Sequence, residues 1–242
     1  MSNHIFHFKQ FSIRQDRCAM KVGTDGVLLG AWADISGPPG SLIFNVLDVG
    51  CGTGLIALMI AQRNDKAEID ALDKDKDACE QATENVENSL FKDKIQVIRQ
   101  SFFDYSSEKK YDLIISNPPF FRNALSCPDK KRNAARHNDS LPLKQLIEHA
   151  MPLLSEHGRI ALILPTSASA EIDFIIATHR LYERRRTNVI TIEGACPKRF
   201  LIEMSLRNSP KQDESDKTLL LETVNHKRTA QYQSLTEDFY LC

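Results

Sequence analysis

The chain lacks the pairings that would make its cysteines into a framework. Six are present, at 18, 51, 79, 127, 196 and 242, and no two stand as Cys-x-x-Cys. That removes the usual zinc-site signature, so no metal is expected. It leaves the reduced thiols of a cytoplasmic protein as the expectation. An apolar run of the roughly 20 residues that a spanning helix needs is also missing. The opening Met1-Ser2-Asn3-His4-Ile5-Phe6 has neither the apolar core nor the small-residue cleavage site of a signal peptide. No membrane association is therefore expected. Charge of one sign is lacking too: 31 basic residues face 32 acidic ones, for a net charge of -1. No global field pulls the protein toward a polyanion, so any nucleic-acid contact must rest on local basic clusters. Internal repeats and long low-complexity tracts are absent.

What remains is an ordinary globular composition, 42% hydrophobic and 26% charged over 242 residues. That length builds one large α/β domain with a full core. The expected organisation is a single domain over 1–242, with an N-terminal segment 1–40, a core 41–207 and a C-terminal extension 208–242. A Gly-Pro-Pro-Gly turn at 37–40 precedes the core, and a polar loop at 208–217 follows it. Nothing calls for a partner subunit, and a monomer is expected.

Inside the core, short β-type runs alternate with longer helical ones. Strands are expected at 42–48, 67–72, 95–98, 112–116 and 159–164. Helices are expected at 55–63, 78–90, 143–154 and 168–181. Strands at 189–192 and 200–206 follow each other with no room for a helix, and a last strand-like run lies at 219–221. Alternating β and α with apolar strands means a mostly parallel sheet covered on both faces. The two late strands in succession imply an antiparallel pair at one edge, giving seven strands in all.

Two stretches carry chemistry. The first is Asp48-Val49-Gly50-Cys51-Gly52-Thr53-Gly54, which closes the first core strand and opens a helix. Glycines at 50, 52 and 54 permit positive φ and a close approach of backbone to ligand. A dinucleotide fingerprint needs its third glycine one place later, where Leu55 stands, so a nicotinamide cofactor is disfavoured. The second core strand ends at Asp73, whose carboxylate can accept two hydrogen bonds from ribose hydroxyls of a nucleoside. Lys74 follows it. Asp75 and Asp77 read better as acidic enrichment at the start of the next helix.

The second stretch is Asn117-Pro118-Pro119-Phe120, at the end of the fourth core strand. Sheet topology sets it beside the glycine turn. An exocyclic base amine is a poor nucleophile, because its lone pair is delocalised into the ring. The side-chain oxygen of Asn117 and the carbonyl of Pro118 can each accept one of its N–H groups and aim the lone pair. The prolines stiffen the loop. Phe120 offers a face on which a flipped base stacks, worth about 1–3 kcal/mol.

The glycine turn resembles the first motif of the class I S-adenosylmethionine-dependent methyltransferases. The resemblance implies the Rossmann-like fold of that class, with S-adenosylmethionine as cofactor. Gly50, Gly52 and Gly54 would pass beside its methionine part. Asp48 would hold the turn and the cofactor ammonium, largely through water, and Asp73 the ribose. Related enzymes often place an acid at the position of Ser101 to bind the adenine amino group. This chain departs from that pattern, so Ser101 or main chain takes that task, and Phe102 can flank the ring or simply belong to the core.

The Asn-Pro-Pro-aromatic motif is shared by amino-methyltransferases acting on DNA adenine, rRNA guanine, tRNA adenine and protein glutamine. Phe8-Lys9-Gln10-Phe11, the run from Met20-Lys21 through Thr24-Asp25 to Ala33, Ala135-Arg136-His137, Pro197-Lys198-Arg199 and the stretch 232–241 resemble the bacterial tRNA(Val) adenine-N6 methyltransferases. That resemblance implies tRNA as the partner and the adenosine just 3′ of the anticodon as target. It also implies that Lys21, Thr24 and Asp25 fold over the cofactor, though Asp25 can instead cap the short helix that follows. The short stretch before the first core strand leaves no room for the helical domain of glutamine methyltransferases, and no gap holds a DNA target-recognition domain. The remaining alternatives are an rRNA guanine-N2 or protein glutamine-N5 methyltransferase, or a non-catalytic RNA- or cofactor-binding module. RNA phosphates would meet Lys130, Lys131, Arg132 and Arg136, and Lys198 with Arg199. The run Arg184-Arg185-Arg186 reads equally as a phosphate contact or a solvated face. His137 reads as orienting its loop rather than as a catalytic group.

Overall fold

The computed structural model describes residues 4–18, 20–38, 40–119, 142–208 and 217–241. The chain opens on a hairpin of β1 (Ile5–His7) and β2 (Ser12–Arg14). Helix α1 (Thr24–Trp32) follows. The core then alternates: β3 (Phe44–Val49), α2 (Leu55–Arg63), β4 (Ala67–Asp73), α3 (Lys76–Glu87) and β5 (Ile95–Arg99). After it come β6 (Tyr111–Ser116), α4 (Leu143–Ala150), β7 (Leu154–Pro165), α5 (Ser169–His179), β8 (Tyr182–Ile192) and β9 (Arg199–Ser205). The chain closes with β10 (Thr218–Glu222) and α6 (Ala230–Thr236).

Ten strands thus form the hairpin and one eight-stranded sheet, ordered β10-β8-β9-β7-β6-β3-β4-β5. β5, β4, β3, β6 and β7 are mutually parallel. β8 and β9 form the expected antiparallel pair, and β9 also runs antiparallel to β7. The seven expected strands are present, and the last strand-like run adds an eighth, β10, parallel to β8. The sequence alternation explains the layering. Side chains of a strand point to opposite faces in turn. In β6, Leu113 and Ile115 enter one core cluster and Ile114 the other; in β7, Ala161 and Ile163 oppose Ile160, Leu162 and Leu164. Both faces are covered, so the strands read as unbroken apolar runs. Among the described residues no helix is long and apolar enough to cross a membrane.

Strand order reverses at β3. The chain builds β3, β4 and β5 outward to one side, then returns to lay β6 on the other. The carboxyl ends of β3 and β6 therefore flank a crevice, the position where open α/β sheets bind ligands.

A buried ionic network ties the segment after α1 to the antiparallel pair. Glu203 is fully buried, accepts the Asp34 N–H at 2.7 Å and meets Arg185 in two bonds of 3.1 and 3.0 Å. Arg185 also lies 3.6 Å over the Trp32 ring, whose Nε1 donates to Thr187 at 3.0 Å. Arg159 donates to the carbonyls of Asp34 and Ser36 at 2.6 Å each. Arg186 pairs with Asp173 and Glu183, both at 2.6 Å. The triple-arginine run is thus neither a solvated face nor a free phosphate contact at Arg185 and Arg186. Strand β8 begins earlier than expected, at Tyr182, where Arg185 meets buried Glu203 and Arg186 pairs with the more exposed Asp173 and Glu183.

Removing one member of such a network leaves an uncompensated buried charge. Glu203→Ala is expected to lower stability by about 3–5 kcal/mol in denaturant titration; a loss under about 1 kcal/mol would show that the network does not hold the segment.

Candidate active site

The glycine turn is suspended from the end of the neighbouring strand. The N–H groups of Gly50 and Cys51 both donate to the Leu72 carbonyl, at 2.8 and 3.0 Å. The Gly52 N–H donates to Asp73 Oδ2 at 2.9 Å. Gly50, Gly52 and Gly54 have φ of 73°, 56° and 79°. Side chains rarely adopt that region, which explains the three glycines. A Cβ built on Gly50 or Gly52 would meet nothing within 4 Å, so the turn faces open space on that side. Gly54 is the N-cap of α2, and the first N–H groups of that helix point toward the crevice.

Asp48 lies under this turn, fully buried. Its Oδ2 accepts the Ala57 N–H at 3.1 Å. Its Oδ1 is buried without a hydrogen-bond partner. Burial pushes the Asp48 carboxyl up to about 7; the Ala57 N–H opposes that rise and the Asp73 charge adds to it. A buried oxygen left unsatisfied is costly and calls for a partner the chain itself does not supply. Asp73 sits at the crevice rim, partly exposed. Its Oδ1 accepts the Asp75 N–H at 3.0 Å, so each oxygen has taken one protein donor and keeps a further lone pair. Asp75 caps α3 by accepting from Ala78 at 2.8 Å, in agreement with its reading as a helix-start residue.

Across the crevice, Ser116 Oγ donates to the Val49 carbonyl at 2.7 Å, which locks the end of β6 against the start of the glycine turn. Asn117 and Pro118 come next in the chain, Asn117 partly buried and Pro118 buried. Register agrees: Asp48 lies level with Ile115 on one side and Ala71 on the other. The fold therefore gathers Asp48, the glycine turn, Asp73 and Asn117-Pro118 around one crevice. Phe120, Lys130, Lys131, Arg132, Arg136 and His137 lie outside the described residues.

Other candidates are distributed around that rim. Ser101, partly buried, N-caps a short 3-10 turn at Phe102–Asp104. Phe102 is buried in the core cluster with Leu47, Val49 and Leu72, its ring 4.8 Å from His149. Lys21, Thr24 and Lys74 are exposed. Asp25 does not cap α1: Gly23 is the N-cap and no side chain caps it. The Asp25 carboxylate instead pairs with Arg199, a residue read from the sequence as a phosphate contact. The N-terminal segment and the turn before β9 are thereby joined. No local pattern announces that pair, since its partners are far apart in the chain.

With this geometry in view, the likeness to known proteins is informative. The Methyltransferase small domain family matches residues 39–173. A tRNA1(Val) (adenine(37)-N6)-methyltransferase of Bacteroides thetaiotaomicron is 45% identical, covering 100% of this chain and 99% of that protein. One from Parabacteroides distasonis is 46% identical over 100% and 99%. The chain belongs to this methyltransferase family. Among solved structures, a protein of Agrobacterium tumefaciens described as a predicted O-methyltransferase superposes with a TM-score of 0.62. It covers 89% of this chain and 96% of its own at 16% identity, a likeness of fold alone. The chain is an enzyme of the methyltransferase class, with the Rossmann-like architecture expected from its sequence.

The Asp48 carboxyl gives a pH test of this site. Its folded-state value of about 7 lies above the ordinary 3.8. Its contribution to stability is then complete below about pH 4 and is lost as pH rises through about 7. Asp48→Asn keeps an acceptor for Ala57 and removes the titration. In thermal unfolding of ligand-free protein, the wild type should lose stability relative to Asp48→Asn as pH rises from about 4 to about 7, and the difference should level off above that. An unchanged difference between the two proteins would contradict the assignment.

Proposed function

We propose that this chain transfers a methyl group from S-adenosylmethionine to N6 of an adenine in tRNA, the adenosine immediately 3′ of the anticodon of tRNA(Val), and that it works in the cytoplasm. The full-length relatives named for that reaction support the substrate. The observation that carries the chemistry is the crevice itself, where a buried carboxylate oxygen without a partner and an open glycine turn face Asn117-Pro118.

The residues fit the cofactor. Asp48 Oδ1 would take the ammonium, directly or through water, and the open side of the turn at Gly50 and Gly52, with the backbone of Gly54, would take the methionine part. Asp73 keeps lone pairs for the ribose hydroxyls. Lys21, Thr24 and Asp25 would cover the pocket, with Lys74, Ser101 and Phe102 on the adenine side. Bound there, S-adenosylmethionine supplies an electrophilic methyl on a positively charged sulfur. The chain has then only to hold the acceptor. The Asn117 side-chain oxygen and the Pro118 carbonyl each accept one N–H of the exocyclic amine, which localises its lone pair and aims it. Phe120 stacks on the flipped base. Once the nitrogen has gained its methyl it is more acidic, and its proton leaves through the same acceptors to solvent. Lys198, with Lys130, Lys131, Arg132 and Arg136, would hold RNA phosphates, and Arg199 would join them on exchanging its Asp25 partner for a phosphate.

Two measurements test the reading. Nucleoside mass spectrometry of tRNA from a strain lacking this gene should lose N6-methyladenosine, and the wild-type gene should restore it. Methyl label appearing only in rRNA or protein fractions would refute the substrate. Asn117→Ala should lower kcat by about 10²–10³ while S-adenosylhomocysteine still binds; a retained rate would remove Asn117 from the mechanism.

A further inference from the structure

Helix α3 should present an apolar stripe to the sheet, and Ala78, Cys79, Ala82 and Val86 do so. Two amides interrupt that stripe one turn apart. Gln81 is fully buried and Asn85 is 2% exposed. Polar side chains are seldom buried without a specific set of partners, and Asn85 has all of its own inside the chain. Its Oδ1 accepts the Arg14 N–H at 2.8 Å, and its Nδ2 donates to the Arg14 carbonyl at 2.9 Å. The second proton of Nδ2 goes to the Thr53 carbonyl, also at 2.9 Å. One planar amide therefore bridges β2 in the N-terminal segment and the middle of the glycine turn. Three good bonds are the full donor capacity of that group plus one acceptor site.

The neighbouring contacts extend the bridge along the segment. Gln81 Oε1 accepts the Arg17 N–H at 3.1 Å. Buried Gln15 accepts the Val22 N–H at 2.7 Å, just before Gly23 and the start of α1. Arg14, Arg17 and Val22 are thus held at their backbone by amide side chains, and at Arg14 that hold is shared with the turn.

We propose that Asn85 is a positioning residue that couples the glycine turn to the N-terminal segment, so that filling the turn with cofactor and seating Arg14 with its neighbours at 12–17 are one linked event. This rests on the reading of the turn as the S-adenosylmethionine site. The coupling acts through Thr53: a ligand that orders the turn fixes its carbonyl, which fixes the Asn85 amide, which fixes both backbone groups of Arg14. By reciprocity, ordering the segment favours the ligand. Asn85 touches neither cofactor nor acceptor base in this scheme.

The test uses full-length protein and S-adenosylhomocysteine as probe, with hydrogen exchange read at residues 12–17, which lie outside the candidate cofactor contacts. Asn85→Asp has nearly the same size but replaces two N–H donors by an oxygen facing two carbonyls. Asn85→Ser retains one donor and serves if the aspartate protein does not fold. In the wild type, ligand should slow exchange both in the turn and at 12–17. In either variant, saturating ligand should still slow exchange in the turn but no longer at 12–17, with dissociation constant and KM for the cofactor raised roughly tenfold and kcat at saturation nearly unchanged. A purely structural role would lower thermal stability while leaving the ligand-induced protection at 12–17 and the KM intact, and that outcome overturns the proposal. Failure of the wild type itself to bind S-adenosylhomocysteine would instead overturn the reading of the site.

Discussion

The site depends on one arrangement: the turn after β3 hangs from the end of β4. The Leu72 carbonyl receives two N–H groups and Asp73 Oδ2 a third. Without those bonds, three successive left-handed glycines would have too much freedom to keep a ligand-shaped path. With them, the turn is held on one side and left open on the other. The same carboxylate that fixes Gly52 remains available at the rim, so structural and ligand-binding roles meet in Asp73. The buried Asp48 beneath supplies the complementary element, a carboxylate whose second oxygen no protein group satisfies. A neutral, protonated Asp48 tolerates that position; an ammonium brought beside it would favour the charged form.

Much of this was legible in the residues. The α2 range is the same in sequence and structure, because a uniform apolar helix bounded by Gly54 and Asn64 leaves little latitude. The crevice residues Asp48, Gly50, Gly52, Gly54, Asp73 and Asn117 fall together because parallel β/α order fixes which strand ends are neighbours. Less legible were contacts between segments distant in sequence. The length of β8 is set by Arg185 and Arg186 finding Glu203, Asp173 and Glu183, and a triple-arginine run carries no sign of such partners. Asp25 read as a pocket residue or a helix cap from its position, whereas its partner Arg199 comes from the start of β9, 174 residues away in the chain. Gln81 and Asn85 were visible in principle, as amides on an otherwise apolar helical stripe, but their meaning needed β2 beside them.

Electrostatics divides the molecule into two regions with different demands. At the carboxyl edge, charges are left partly unsatisfied around the crevice, where ligands can complete them. Away from it, Arg159, Arg185, Asp34 and Glu203 satisfy one another and nearby carbonyls so fully that they act as packing groups. The near-zero net charge thus hides a sorting of charge by place.

The ends of the described chain clasp each other. Phe8 bridges to Tyr240, the Lys9 N–H donates to the Phe239 carbonyl at 2.8 Å, and Phe6, Phe8 and Phe11 stack in a cluster that reaches Tyr240. On a ribosome this has a temporal meaning. The hairpin finds part of its seat early, on α3 through Asn85, but its contacts with Phe239 and Tyr240 must wait until those residues have been made, long after the strands of the central sheet are available to pair. Closing so large a loop is entropically the last and slowest kind of contact to form. A nascent chain can hence assemble its sheet and glycine turn before the clasp between Phe8–Lys9 and Phe239–Tyr240 closes.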